Sequence, residues 1–366
     1  MMPQRPLRRA WLALALTALG ATAAAGERKL FLYNWADFIG YGTIERFEQR
    51  TGIKVVYDTY DAEETMEARL LAGESGYDVV SASAEFFGRE IRAGVYQPLE
   101  KARLPGWINL DPAILARLEA ADPGNRHAVP YMQAINGFAY NVDMIRARMP
   151  DAPIGSLDMI FKPEIISRFA DCGVTFLDSP TDVLELALRY LHLDPNTTSR
   201  ADYEAAERLL LRVRPYVRNF DSIEYMNALA NKEVCIAMSW SADYATVMAR
   251  ARAAGAPVNL AFTVPVEGAN QTLSGFLIPV GAPHLEEAYE FLNYMLEPRV
   301  IAGVTNQIFY GNANLAANAY VRPEILHDVT LYPTPAIEAR LYRTTESTIA
   351  TDRIRTRAWT RVKTGK

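Results

Sequence analysis

Histidine and cysteine are scarce in this 366-residue chain, which has four of the first and two of the second. His127, His192, His284 and His327 are scattered and form neither an HExxH nor an HxxxH spacing, so no metal centre is expected. Two cysteines also exclude a cysteine-rich scaffold and a zinc site of four thiolates. The signatures GxSxG, GxxxxGK[ST] and GxGxxG are missing, which lowers the odds of an enzyme and implies no cofactor. No apolar run reaches the ~20 residues of a membrane-spanning helix. A basic surplus is lacking too. The formal net charge is −5, and Arg5, Arg8 and Arg9 lie in a leader, so the remainder is more acidic still. Such a chain is a poor partner for nucleic acid, whose phosphates need a basic face. It is compatible with a cationic ligand.

What remains is the balance of an ordinary globular protein, 50% hydrophobic and 22% charged, with length for two domains. The three arginines precede an apolar run, Ala10 to Leu19, and a small-residue stretch ending in Ala23, Ala24 and Ala25. A basic start, an apolar centre and an A-x-A site predict a cleavable signal peptide over residues 1–25. Export makes a disulfide possible, with Cys172 and Cys235 as the candidates; two buried thiols are the other reading.

Strands and helices alternate in the first third. Strands are predicted over 29–34, 53–57 and 77–81, with helices over 44–50, 63–72 and 86–93 between and after them. That alternation predicts right-handed β-α-β crossovers and a mainly parallel sheet, with ligands beyond the carboxyl ends of its strands. Asn34–Asp37 and Ser81–Glu85 stand at such ends. Val129–Tyr140 has no helical period and is read as an extended crossing between lobes, and Val258–Val264 as a second. Strands over 174–177, 234–240 and 273–279 follow, with helices over 183–191, 203–213, 242–253 and 285–296.

The runs Leu32–Phe38 (LYNWADF) and Glu48–Asp58 (EQRTGIKVVYD) resemble periplasmic putrescine/spermidine-binding proteins of ABC importers. The likeness continues through Ala93–Leu99, Ala128–Met132, Cys172–Asp178, Phe291–Leu296, Phe309–Ala317 and Asp352–Lys366. It covers essentially the whole mature chain and is closest to the putrescine branch. The resemblance implies an α/β fold of the two-lobed, type II periplasmic-binding-protein kind, its lobes hinged by crossing strands. Residues 26–133 and 258–302 are expected in lobe 1, and 134–257 and 303–366 in lobe 2. It further implies a periplasmic monomer that delivers a small cationic amine to ABC permease membrane subunits, and a bond between Cys172 and Cys235.

An alkyl diammonium needs aromatic walls for its methylenes and carboxylates for its ends. By position, the resemblance makes Trp35 and Trp240 pocket walls, Asp37 and Asp243 carboxylate partners, and Phe38 and Tyr310 aromatic neighbours. Ser83 and Ser222 are hydroxyl candidates, and Asp182 stands where the family has a glutamate. Read without the family, Asp37 is equally a cap or turn residue, Ser83 a helix N-cap, and Trp240 and Tyr310 plain packing. Five positions depart from the pattern. Thr272 and Leu273 replace aromatic residues and Ser274 an aspartate, Glu85 replaces a small hydroxyl residue, and Gln133 replaces an aromatic one. Ser274 and Glu85 therefore raise the alternative of a guanidino or acylated amine. Two further alternatives are a ligand-loaded sensor and an enzyme that uses Asp37 and Asp243 as an acid/base pair.

Overall fold

The computed structural model describes residues 27–60, 63–73, 75–345 and 347–365. The expected signal peptide lies outside them. Three parallel strands open the chain: β1 (Lys29–Trp35), β2 (Lys54–Tyr60) and β3 (Val79–Ser83), ordered β2-β1-β3. The helices between them form as the spacing predicts. Thr43–Thr51 buries Phe47 and stops at Gly52, whose φ of 73° is the left-handed conformation glycine adopts without strain. Helix Glu63–Leu71 buries Met66 and Leu70, and helix Ala84–Arg92 buries Phe87.

β4 (Val129–Asn141) is the long crossing. Its first half pairs antiparallel with β9 (Ala269–Leu277), which itself pairs with β3. Its second half, from Asn136 on, pairs with β7 (Ile236–Trp240) and β8 (Leu260–Thr263) in a second sheet. There β5 (Val174–Phe176) runs parallel to both β7 and β6 (Asn219–Phe220). Short strands β10 (Gly311–Asn312) and β11 (Leu341–Tyr342) attach to β4 and β9. Each lobe thus has three parallel strands joined to antiparallel crossing strands, and each sheet is mixed. Helices pack on both sheets around two separate hydrophobic cores.

The second crossing is β9, not the segment 258–264. Val258, Leu260, Phe262 and Val264 pack in the second core, and β8 stays beside β4. Gly137 permits this. A Cβ there would stand 2.2 Å from the Thr263 carbonyl oxygen. The segment 303–332 also changes side. Val304, Ala317, Ile325 and Leu331 lie in the first core, because helix Pro298–Ile308 follows helix Leu285–Met295 within the same layer. The C-terminal helix Ile349–Thr364 packs Ala358, Trp359 and Val362 into the second core. Cys172 and Cys235 are bonded, with Cα atoms 5.5 Å apart, and tie the entry of β5 to the entry of β7. Among the described residues no helix is long and apolar enough to cross a membrane.

Candidate functional site

The first lobe presents the carboxyl ends of β1 and β3. After Trp35 the chain turns through Asp37, a non-glycine residue at φ 54°. Hydrogen bonds hold that turn. The Tyr57 hydroxyl donates to the Trp35 carbonyl at 3.3 Å, and the Tyr131 hydroxyl to the Phe38 carbonyl at 2.7 Å. The Trp35 ring leans on Tyr60 at 4.7 Å between centroids, and Phe38 meets Tyr131 and Tyr310 edge-on. Ser83 ends β3. Its backbone N–H and its hydroxyl both donate to Glu63 at 2.6 Å, so the hydroxyl does not cap the following helix. Burial pushes the Glu63 carboxyl well up.

The second lobe offers the start of helix Pro180–Tyr190 and the end of β7. Ser179 caps that helix by accepting from the Asp182 N–H at 3.2 Å. The Asp182 carboxylate accepts from Asn136 Nδ2 at 3.0 Å, and the Trp240 side chain also bonds to it. Burial nevertheless raises Asp182 to about 6. Asp243 opens the next helix and is 7% exposed. It accepts from the hydroxyls of Tyr225 and, at 2.8 Å, Tyr310. Its carboxyl is raised by burial, against those hydrogen bonds and one from the Trp240 backbone. Burial and the neighbouring Asp243 keep both phenols protonated, hence donors.

The lobes touch here. Arg250, seven residues after Asp243 on one helix, forms an ion pair with Asp37 at 3.1 Å. Tyr310, carried by the first lobe, reaches Asp243. Glu85 accepts from Asn270 Nδ2 at 3.1 Å and from the Thr272 hydroxyl at 3.5 Å, both on β9. Trp240 lies near both carboxyls, its side chain favouring ionised Asp182 and its backbone ionised Asp243.

The other expected residues sit differently. The Asp37 side chain is 74% exposed and already paired with Arg250. Ser222 lies beside the outermost strand, where its hydroxyl accepts from the Asp178 N–H at 3.0 Å. Ser274 is 5% exposed, and its hydroxyl donates to the Met132 carbonyl at 3.1 Å and accepts from the Met132 N–H at 3.3 Å. That hydroxyl spans the register shift in β4, so it is committed to backbone. Gln133 bonds to Gln271 at 3.1 Å inside the sheet. Sequence reasoning missed Glu63, Asn136, Glu185, Tyr225 and Arg250. Two carried a readable signal: Glu185 is one helical turn from Asp182, and Arg250 is two turns from Asp243.

Residues 42–332 match the family model of bacterial extracellular solute-binding proteins. The chain is 44% identical over 356 residues to the putrescine-binding periplasmic protein PotF of Escherichia coli, covering 97% of this chain and 96% of that one. It is 42% identical to a putrescine/agmatine-binding protein of Pseudomonas aeruginosa, covering 96% and 97%. A solved structure described as a putative spermidine/putrescine ABC transporter from Listeria monocytogenes superposes with a TM-score of 0.83 at 25% identity, covering 93% of this chain and 100% of that one. These relatives are solute-binding proteins and not enzymes, which removes the acid/base reading of Asp37 and Asp243. Two α/β lobes that meet through acidic and aromatic side chains thus carry the sequence of the bacterial extracellular solute-binding proteins, and the chain belongs to that family.

Proposed function

We propose that this chain, exported by its cleavable leader, captures a small linear diamine between its lobes as a monomer and delivers it to ABC permease subunits. The observation that carries this reading is that two buried carboxyls, Asp182 and Asp243, lie near Trp240 where the first lobe's Tyr310 reaches across to Asp243. An alkyl diammonium has two charged ends and an apolar middle. Each ammonium has N–H donors for a carboxylate, a charged hydrogen bond of roughly 1.5–3 kcal/mol. The indole face covers methylenes and attracts the cation through its quadrupole, at about 0.5–2 kcal/mol. Trp35 and Phe38 supply apolar surface from the other lobe. A ligand that bridges both lobes favours the closed arrangement by its differential affinity, and closure strengthens its charge contacts by excluding water.

The relatives named for putrescine support the ligand class. The guanidino or acylated alternative loses one of its two grounds, since the Ser274 hydroxyl is bound to Met132, and the relatives named for putrescine do not favour it. Calorimetric titration of ligand-free protein with putrescine, cadaverine, agmatine and spermidine tests the reading. Putrescine is expected to bind with a Kd on the order of 1 μM, about −8 kcal/mol. Absence of binding by every amine at millimolar concentration would overturn it.

A further inference from the structure

The second lobe carries a basic face on an acidic protein. Helix Arg200–Val213 and helix Ile349–Thr364 together hold eight basic and four acidic side chains, whereas the whole chain has a formal net charge of −5. Helical spacing sorts those charges. Arg200, Arg208 and Arg212 stand at multiples of four residues on the first helix, and Arg353 and Arg357 four apart on the second. Each set therefore makes one stripe, while Leu209 and Leu210 on the first helix and Trp359 and Val362 on the second pack inward.

Three contacts set the stripes side by side. Arg361, the next member of the second stripe, bonds to Glu207, beside Arg208, through two hydrogen bonds of 2.6 Å. Tyr203 lies near Arg355, and the Arg214 guanidinium donates to the Lys363 carbonyl at 3.3 Å. The contacts climb both helices together, so the helices run in the same direction. At a rise of about 1.5 Å per residue the first stripe is about 18 Å long, and packed helices lie about 8–10 Å apart. The C-terminal end of the second helix is fastened to Asp178, just past β5, by Trp359 at 3.2 Å and Lys363 at 2.7 Å. Trp240 ends the parallel neighbour β7, so the face borders the cleft end of the lobe.

The acids are engaged and the arginines are not. Glu207 is taken by Arg361, Asp352 by Arg355 at 3.2 Å, and Asp202 by the Thr197 hydroxyl at 2.6 Å. Glu204, the remaining acid, acts on Arg361. Arg200, Arg208, Arg212, Arg353 and Arg357 are exposed, and among the described residues none of them has a hydrogen-bond, ion-pair or ring partner.

The face also lacks what a protein partner needs. The core of a protein–protein interface is apolar and aromatic and depleted of charge. Of the large apolar side chains exposed among the described residues, Ile349 alone lies on these helices, at the start of the second. A guanidinium presents a planar fork that matches the oxygens of a phosphate. Arginines spread over two helices match a surface of repeated phosphates better than a single bound ion. An anionic bilayer is such a surface, and its potential attracts basic side chains.

We propose that this face seats the protein on the phosphate headgroups of an anionic phospholipid bilayer. The permease partner of the reading above brings the protein to a membrane, but the contact itself needs neither permease nor amine.

The test is co-sedimentation of the mature protein, at low salt, with vesicles of phosphatidylcholine alone and of phosphatidylcholine with equimolar phosphatidylglycerol. Binding is expected to the anionic vesicles only, and is expected to disappear when salt shortens the screening length to about 3 Å. Each arginine near such a surface contributes about fivefold in affinity, so Arg353→Gln/Arg357→Gln is expected to bind the anionic vesicles about 25-fold more weakly. Arg208→Gln/Arg212→Gln, on the other helix, is expected to do the same. Unchanged putrescine binding by these variants shows that they are folded. No sedimentation with the anionic vesicles would overturn the proposal, point to an acidic protein as the partner, and leave the diamine reading standing. Equal sedimentation with both kinds of vesicle, or folded variants that bind as well as the unaltered protein, would overturn it too.

Discussion

The two ends of the cleft hold carboxylates in opposite ways. Asp243 is alone, and its two phenol donors cannot compete for its charge. Glu85, Asp182 and Glu185 are crowded, drawn from both lobes, and matched mainly by amides and single hydroxyls. The phenol hydrogen bonds favour the ionised form of Asp243, although burial raises its carboxyl. The crowded carboxyls repel one another, which adds to burial in favouring their protonated forms. The two ends thus differ in partner count rather than in carboxyl chemistry.

The largest expected effect separates them by pH. The crowded end holds protons to about 6 or 7 in the folded protein, against ordinary values of 3.8 and 4.5. In that window the folded state binds more protons than the unfolded one, so stability falls as pH rises from about 4.5 to 7. Each unit of displacement is worth about 1.4 kcal/mol. Glu63 and Glu90, also raised by burial, add to the trend. Urea unfolding of ligand-free protein at pH 5, 6, 7 and 8 is expected to show a declining midpoint. The decline is expected to be shallower in Glu85→Gln/Glu185→Gln. A midpoint that rises across the window, or a slope untouched by the double variant, would erase the contrast between the ends.

The next effect sharpens the Asp243 end. Asp243→Asn keeps the shape and leaves one of the two tyrosine hydroxyls an amide oxygen to donate to and the other an amide N–H to accept from, but removes the charge. Putrescine affinity is expected to fall about 10- to 150-fold, from the loss of one charged hydrogen bond. Calorimetry reads this directly. A loss below threefold would mean that Asp243 serves the tyrosines and not the ligand.

The fold was largely legible, since alternating strands and helices set the first sheet and the periodless run 129–140 gave the first crossing. The other crossing was misplaced because an extended segment does not announce its partner strand. Val258–Val264 and Ala269–Leu277 are both β-rich, and core packing, pairing with β4 and the bare backbone of Gly137 against Thr263 keep the former in the second lobe. Of the candidate residues, Trp240, Asp182 and Asp243 lie near one another, as their aromatic and acidic types led the sequence reading to expect. The site was hidden where a hydroxyl or carboxyl had a competing partner. Ser83 is held by Glu63, Asp37 by Arg250, and Ser222 by the backbone of Asp178. Such pairings join residues far apart in the chain, which spacing cannot report.

Ser274 gives the smallest expected effect and the strictest check on that reasoning. The resemblance to the putrescine branch implies an aspartate at this position, so a ligand role predicts a large loss on truncation. The geometry predicts otherwise. Its hydroxyl makes two hydrogen bonds to Met132 across the bulge in β4, and Ser83 is its register partner on the neighbouring strand. Ser274→Ala is expected to lower stability by about 1 kcal/mol through those lost bonds and to change putrescine affinity less than about threefold. A tenfold or greater loss of affinity at unchanged stability would mean that the hydroxyl turns from the backbone to the guest. The interface would then offer the guest a third polar contact besides Asp243 and the crowded carboxyls.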